Sequence, residues 1–276
     1  MNTLTIIDRD HIVDALNEEW DSLVALAAEL APWDWDHPTD CPGWSVKDCY
    51  AHILGTESML LGRPNPTVEL PAELPHVRNE IGRANEEWVV AYRDRSGAEV
   101  LGDLAEVITE RRSVLAKSDQ EAFDQPSWTP AGEDSYGRFM RIRVMDQWMH
   151  EQDVREAVGR PGHLEGVAAE VTLDELAAAL GYVVGKKAAA PAGSTVRFDL
   201  KGPMSDTLDI VVSDRARLVD QLSGEPSVTI TLPGATFCRL AGGRRNWDHP
   251  WVRAAVSISG DEELGRRILS NLAFTI

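Results

Sequence analysis

The sequence is short of cysteine, of positive charge and of long apolar runs. Only 3 of its 276 residues are cysteine. Such an odd, sparse count does not build a disulfide framework, so a reducing, cytoplasmic setting is expected. The formal net charge is −18, which argues against nucleic acid as a partner because phosphate binding requires basic surface. No run reaches the roughly 18 apolar residues of a membrane span. The N-terminus lacks the basic-then-apolar layout of a signal peptide.

The composition is that of a globular protein, with 43% hydrophobic and 26% charged residues. The acid excess is uneven. Residues 1–189 hold 35 acidic against 17 basic side chains, whereas the remainder holds 10 of each. This asymmetry indicates two units of different character.

Hydrophobic periodicity supports the same division. A spacing of three to four residues predicts helices at 10–31, 46–61, 77–94, 98–117, 136–158 and 166–187, with a long loop at 118–135. Alternating or β-branched segments predict strands at 196–200, 207–212, 227–232 and 252–259, with short helices at 234–241 and 261–271. We therefore expect an all-α unit at residues 1–162 and a small α+β domain at residues 163–276, with the boundary inside 159–192.

The helix at 136–158 carries polar residues where an apolar face is expected. At about 100° per residue, Asp146, His150 and Asp153 fall on one face, at i, i+4 and i+7. Phe139 and Met149 share that face. Because buried polar groups are costly without partners, a divalent metal is one partner that would satisfy these side chains together.

His52, on the helix at 46–61, is the best remaining ligand candidate. Two packed helices could bring it opposite Asp146 and His150. Two imidazoles and a carboxylate form the usual open catalytic arrangement for zinc, with water or substrate as fourth ligand. The alternative is that His52 is a hydrogen-bonded core histidine and Asp146 pairs with an arginine such as Arg143. Spacing alone leaves both open.

Two motifs resemble those of a known family. Residues 41–54 read CPGWSVKDCYAHIL, and residues 150–161 read HEQDVREAVGRP. Both are similar to signatures of the mycothiol-dependent maleylpyruvate isomerase family. The resemblance implies a DinB-like four-helix metal-binding bundle followed by a small sterol-carrier-like α+β domain, which covers most of the chain.

The resemblance also implies a site. The family's metal triad falls on His52, Asp146 and His150, and Asp146 departs from the Glu found in the best-known members. Asp153 matches a motif residue expected to orient a ligand histidine. An arginine of the C-terminal domain matters in the resembled isomerase. Arg244 is the candidate for a catalytic role, and Arg239 and Arg244 are candidates for contacting the thiol cofactor.

The expected cofactors are a divalent metal, most simply zinc, and mycothiol. A thiol entering the open metal position would be deprotonated and could attack a small electrophile. The function implied is therefore an isomerase or S-transferase. A non-catalytic metal- or ligand-binding protein and a thiol-independent metal hydrolase remain alternatives. We expect small-molecule partners, no membrane partner, and a monomer or small homo-oligomer.

Other reactive side chains are expected to be structural. Cys49 is predicted to be a small buried thiol, because that is the commoner role of a helical cysteine. His37, His76, His163 and His249 lie in Pro- and Gly-rich segments and are predicted to be solvated.

Overall fold

A computed structural model describes residues 4–275. The described chain divides into two compact units, the first ending at His163 and the second beginning at Leu164. A helical unit therefore precedes a sheet-containing unit, which is the fold class that the sequence predicts. Within the described residues, no helix combines the length and apolar character needed to cross a membrane.

Four long helices form a bundle in the first unit. The helices of this unit are α1 (Arg9–Ala28), α2 (Val46–Leu60), α3 (Glu80–Tyr92), α4 (Gly97–Leu115), α5 (Gln120–Phe123) and α6 (Tyr136–Ala157). Helix α1 contacts α4 and α6, and α2 contacts the same two helices, while α3 packs on the outside of α2. The bundle buries apolar side chains such as Leu16, Trp20, Ile53 and Leu104.

One close approach brings α3 against α2. A Cβ at Gly55 would lie 2.3 Å from Trp88 Cγ, so only glycine allows the indole to pack directly on the backbone of α2. Gly55 is buried in the same helix that carries His52.

The segment predicted as one long loop is largely ordered secondary structure. It contains the short helix α5 and a hairpin of β1 (Pro126–Thr129) and β2 (Gly132–Ser135). The hairpin leads directly into α6, and its last residue, Ser135, caps that helix by accepting a hydrogen bond from the backbone N–H of Arg138.

The second unit is built on a five-stranded sheet. Its strands are β3 (Thr195–Lys201), β4 (Asp206–Val212), β5 (Ala216–Val219), β6 (Val228–Pro233) and β7 (Ser257–Gly260), in the order β5-β4-β3-β6-β7. Strands β3 and β6 are parallel, and every other pair is antiparallel. Val196, Phe198 and Leu200 alternate inward from β3 and align with buried residues of β4 and β6.

Three details differ from the sequence-based expectation. The helix predicted over 166–187 is broken into α7 (Val167–Ala178), α8 (Leu180–Tyr182) and a π-helical turn, Val183–Lys187. The strand predicted over 252–259 is instead α10 (Pro250–Ala255) followed by β7, because Pro250 suits the first turn of a helix. Strand β5 was not predicted. Helices α9 (Gly234–Ala241) and α11 (Glu262–Ser270) pack on the sheet.

Candidate metal centre

The loop before α2 fixes where that helix begins. Ser45 Oγ accepts from the backbone N–H of Asp48, and Asp48 Oδ2 accepts from the backbone N–H of Ser45, which is a complete capping box. Within the loop, the N–H of Thr39 donates to the carbonyl of Trp44, and Gly43 takes a positive φ of 81° that favours glycine. These contacts set the position and rotation of α2, and with them the direction of His52.

The three predicted metal-ligating residues come together between α2 and α6. His52 Nε2 lies 3.1 Å from Asp146 Oδ2, and His150 Nε2 lies 3.7 Å from Asp146 Oδ1. One ligand atom from each residue lies within 4.8 Å of the other two. The histidines are buried, whereas the Asp146 side chain is 28% exposed. Solvent therefore reaches the cluster at its carboxylate.

This spacing fits a four-coordinate cation. Ligand atoms around a tetrahedral zinc lie roughly 3.3 Å apart, given metal–ligand distances of about 2.0–2.1 Å. The separations of 3.1 Å to His52 and 3.7 Å to His150 are near that value, and they involve the two different oxygens of the Asp146 carboxylate, Oδ2 and Oδ1. The shorter side chain of Asp146 therefore reaches both histidines without the extra methylene of glutamate. Three protein ligands leave one position open, as in catalytic zinc sites.

The far side of the His150 ring contacts a thiol and a carboxylate. His150 Nδ1 lies 3.4 Å from Asp153 Oδ2 and 3.6 Å from Cys41 Sγ. The Cys41 thiol itself donates to Asp153 Oδ2 at 3.0 Å. A metal-binding histidine usually has such a carboxylate on its second nitrogen, which orients the ring. Cys49 is fully buried beside this group, and Cys41, Cys49 and His150 also bring potential ligand atoms within 4.8 Å of one another.

Asp146 is held by a buried polar chain. Arg143 Nη1 donates to Asp146 Oδ2, and Arg143 Nε donates to Glu57 Oε1 at 3.2 Å. Glu57 is fully buried on α2 and also accepts from Arg111 and Gln147, at 2.8 and 3.0 Å. The predicted alternative of an Arg143–Asp146 pair is therefore present, but it coexists with the three-residue cluster and orients its carboxylate.

Trp44, from the Pro-Gly-Trp motif, lies against both histidines. Its ring centroid is 5.1 Å from that of His52 and 5.6 Å from that of His150. The indole Nε1–H donates to Glu86 Oε2 at 2.9 Å, and Glu86 also pairs with His76. His76 was predicted to be solvated, but it takes part in the network that fixes Trp44.

The three residues of the cluster have shifted pKa values. Burial lowers the pKa of His52 to about 4, so this imidazole is neutral near pH 7. Burial opposes ionisation of Asp146, but Arg143, His52 and His150 hold the pKa of this carboxyl well below its usual value. Burial also opposes protonation of His150, but the Cys41 side chain and the carboxylates of Asp153 and Asp146 raise its pKa. A cation entering such a site displaces protons from its ligands.

The predicted arginines lie in the second unit. Arg239 is buried within α9, and Arg244 follows that helix and donates to the backbone carbonyl of Gly242 at 2.8 Å. Their contact with a thiol or substrate stays a prediction. Sequence reasoning missed Cys41 and Glu57 as contributors to the site. Cys41 opens the first motif, but Glu57 has no local signal because its partners are 54 to 90 residues away.

Two family models match the chain. The mycothiol maleylpyruvate isomerase N-terminal domain matches residues 16–155, and the MDMPI C-terminal domain matches residues 170–267. Together they cover both units and include His52, Asp146 and His150.

Individual relatives are more distant. Uncharacterized proteins from two strains of Mycobacterium tuberculosis are 26% identical over 227 residues, covering 77% of this chain and 81% of theirs. A crystal structure of the mycothiol-dependent maleylpyruvate isomerase aligns with a TM-score of 0.58 at 16% identity, covering 94% of this chain and 96% of that one. A histidine-to-alanine mutant of that isomerase aligns with a TM-score of 0.56 at 15% identity, with the same coverage of both chains. At these identities the structural likeness shows a shared fold and nothing further.

Proposed function

The chain belongs to the mycothiol maleylpyruvate isomerase family, and from this premise we propose that it is a divalent-metal-dependent enzyme using mycothiol to isomerise a small electrophilic substrate. The observation that carries the proposal is the convergence of His52, Asp146 and His150 at a partly solvent-accessible point of a buried helical interface. Zinc is the metal that this ligand set fits most simply.

The residues of the chain would each contribute one part of the chemistry. His52, Asp146 and His150 would hold the cation, whose charge favours the thiolate form of a thiol placed at the open position. Arg143 fixes the Asp146 carboxylate, and Asp153 with Cys41 orients the His150 ring. The approach to the site is from the Asp146 side, because both imidazoles are buried.

When bound, mycothiol would supply the chemistry of a reversible thiol addition to a conjugated double bond, which permits cis–trans isomerisation of the substrate and returns the thiol. Trp44 covers the imidazole faces and excludes water from that side. The thiol is regenerated, so the proposal requires mycothiol in catalytic amounts only.

The test is an isomerisation assay with maleylpyruvate, following its conversion to the trans isomer. We expect turnover only when both metal and mycothiol are present. A chelator should abolish turnover and zinc should restore it. Formation of a stable thiol adduct, with mycothiol consumed in proportion, would instead identify an S-transferase, and cleavage products formed without thiol would identify a hydrolase. A stoichiometric amount of bound metal without turnover would support the metal site but would exclude maleylpyruvate as the substrate.

Asp153→Asn tests the orientation of His150. The amide keeps the size of the side chain but lacks the charge that holds the His150 Nδ1–H. We expect the affinity of the site for zinc to fall about 10- to 100-fold, measured by competition with a chromophoric chelator. The exposed carboxylate of Asp14, on α1, supplies the matched control Asp14→Asn. Unchanged zinc affinity in Asp153→Asn would mean that Asp153 serves only the fold.

A further inference from the structure

Helix α6 carries a second buried polar cluster, which faces α1. It consists of Glu19 from α1, Glu151 from α6 and His163 from the segment after α6. His163 Nδ1 lies 2.5 Å from Glu151 Oε2 and 3.6 Å from Glu19 Oε2. One potential ligand atom from each residue lies within 4.8 Å of the other two. His163 was predicted to be solvated, but its side chain is only 10% exposed.

Glu19 is the unusual member of this cluster. Its side chain is fully buried, and neither carboxylate oxygen receives a hydrogen bond from a described residue. Burial, followed by the neighbouring charge of Glu151, raises the pKa of Glu19 well above its usual value. A carboxylate without a donor in such a place is expensive. Glu19 is therefore a buried acid without a hydrogen-bond donor, and it points at two other ligand-type side chains, His163 and Glu151.

The contacts around the cluster leave the ligand atoms facing one another. Ser22 Oγ and Arg155 Nε donate to Glu151 Oε1, at 2.5 and 2.8 Å, so they occupy the oxygen that points away from His163. His163 Nε2 lies 3.3 Å from Glu18 Oε1. An imidazole with one nitrogen toward a cation site and the other toward a carboxylate is the usual arrangement of a metal-binding histidine.

The charges also favour a cation. The carboxylates of Glu18, Glu19 and Glu151 surround the group, and Arg155 is the guanidinium that contacts it. Three carboxylates therefore face one guanidinium and one imidazole. The Glu18 side chain is 36% exposed, so the outer edge of the cluster is open to solvent. Trp148 Nε1 donates to the backbone carbonyl of His163 at 2.8 Å, which holds that residue at its positive φ of 54°.

We propose that Glu19, Glu151 and His163 form a second divalent-cation site, separate from the His52 cluster, with zinc as the cation that two carboxylates and an imidazole fit. The ligand atoms would be Glu19 Oε2, Glu151 Oε2 and His163 Nδ1, and the last two, now 2.5 Å apart, would separate to the roughly 3.3 Å of zinc ligands. Binding would displace protons from the ligand atoms. The cation would join α1, α6 and the segment that ends the first unit, and its role would be structural. It is independent of the catalytic function proposed above.

The test counts bound zinc in the full-length chain. After dialysis against zinc and removal of the excess, we expect two zinc ions per wild-type chain and one per His52→Ala chain. The chain carrying both His52→Ala and Glu19→Gln should bind none. Zinc should raise the unfolding temperature of the His52→Ala chain and leave that of the doubly substituted chain unchanged. The control combines His52→Ala with Asp14→Asn, because Asp14 is an exposed acid on α1, the helix that carries Glu19. This chain should still bind one zinc ion.

His163→Asn gives a second way to remove the site, because asparagine tolerates a positive φ. A His52→Ala chain that binds no zinc would overturn the proposal, as would zinc binding unaffected by both Glu19→Gln and His163→Asn. Either result would mean that Glu19 and Glu151 share a proton and bind no cation. The Glu19→Gln chain should then be stable, and zinc should not change its unfolding temperature. Failure of the proposed His52 metal site looks different, because the wild type would then bind one zinc that depends on Glu19 and not on His52.

Discussion

Replacing His52 by alanine is expected to remove one zinc per chain and to abolish thiol-dependent isomerisation. The substitution leaves Asp146 and His150 as the only two protein ligands of the proposed catalytic site. Metal catalysis of this kind contributes several kcal/mol to the transition state. Since about 1.4 kcal/mol corresponds to a factor of ten in rate, kcat/KM should fall by roughly a thousandfold or more.

The measurement pairs metal analysis with the maleylpyruvate assay on the same preparation. His11→Ala is the matched control, because His11 is an exposed histidine on α1 of the same unit. The control should keep both the wild-type zinc content and the wild-type rate. A His52→Ala chain that retains its zinc content and turns over at the wild-type rate would remove His52 from the site. Loss of zinc with an unchanged rate would instead show that the metal is structural.

Glu57→Gln is expected to destabilise the first unit by about 3–5 kcal/mol, the usual effect of removing one partner from a buried ion pair. Glu57 accepts hydrogen bonds from Arg111 and Arg143, and both guanidiniums are buried. The amide has almost the same volume, so the change removes charge without creating a cavity. Two cations would then remain in the core, with Asp146 as the nearby carboxylate for one of them.

Urea unfolding, followed by tryptophan fluorescence, measures this loss of stability. A drop in zinc affinity should accompany it, because Arg143 loses the partner that holds it toward Asp146. The control is Glu106→Gln, at an exposed position of α4, where a change within about 0.5 kcal/mol is expected. A similarly small effect at position 57 would mean that water or rearranged side chains satisfy the two arginines, and that the chain from Glu57 to Asp146 is not a rigid support.

The sequence predicts local features of the site well. Ser45 and Asp48 lie three residues apart before an apolar run, which marks the start of α2. The periodicity from residue 136 onward marks α6 almost to its end. The hypothesis that His52, Asp146 and His150 converge combines these two helices with motifs of the resembled family, and the structure brings their ligand atoms together.

Long-range polar contacts could not be predicted from the sequence in the same way. Glu57 and Glu19 look like ordinary charged residues of amphipathic helices, because their partners lie more than 50 residues away in sequence. His163 follows a Pro-Gly pair, a composition that usually indicates solvent exposure. Its burial depends on Trp148 and Glu151 of the preceding helix.

Short elements with weak patterns were also missed. The hairpin at β1 and β2 has only four residues in each strand, too few for a clear alternation. A strand was predicted from residue 252, but proline at the first helical turn begins α10 there instead.

Helix α6 holds the His150 cluster on one side and the Glu151 cluster on another, at adjacent positions of one 22-residue helix. A single inserted or deleted residue near its middle would turn the remainder by about 100° and shift it by about 1.5 Å. Both clusters would be broken by the same event. In evolution and in engineering, α6 can therefore change by substitution but not by insertion or deletion near its middle.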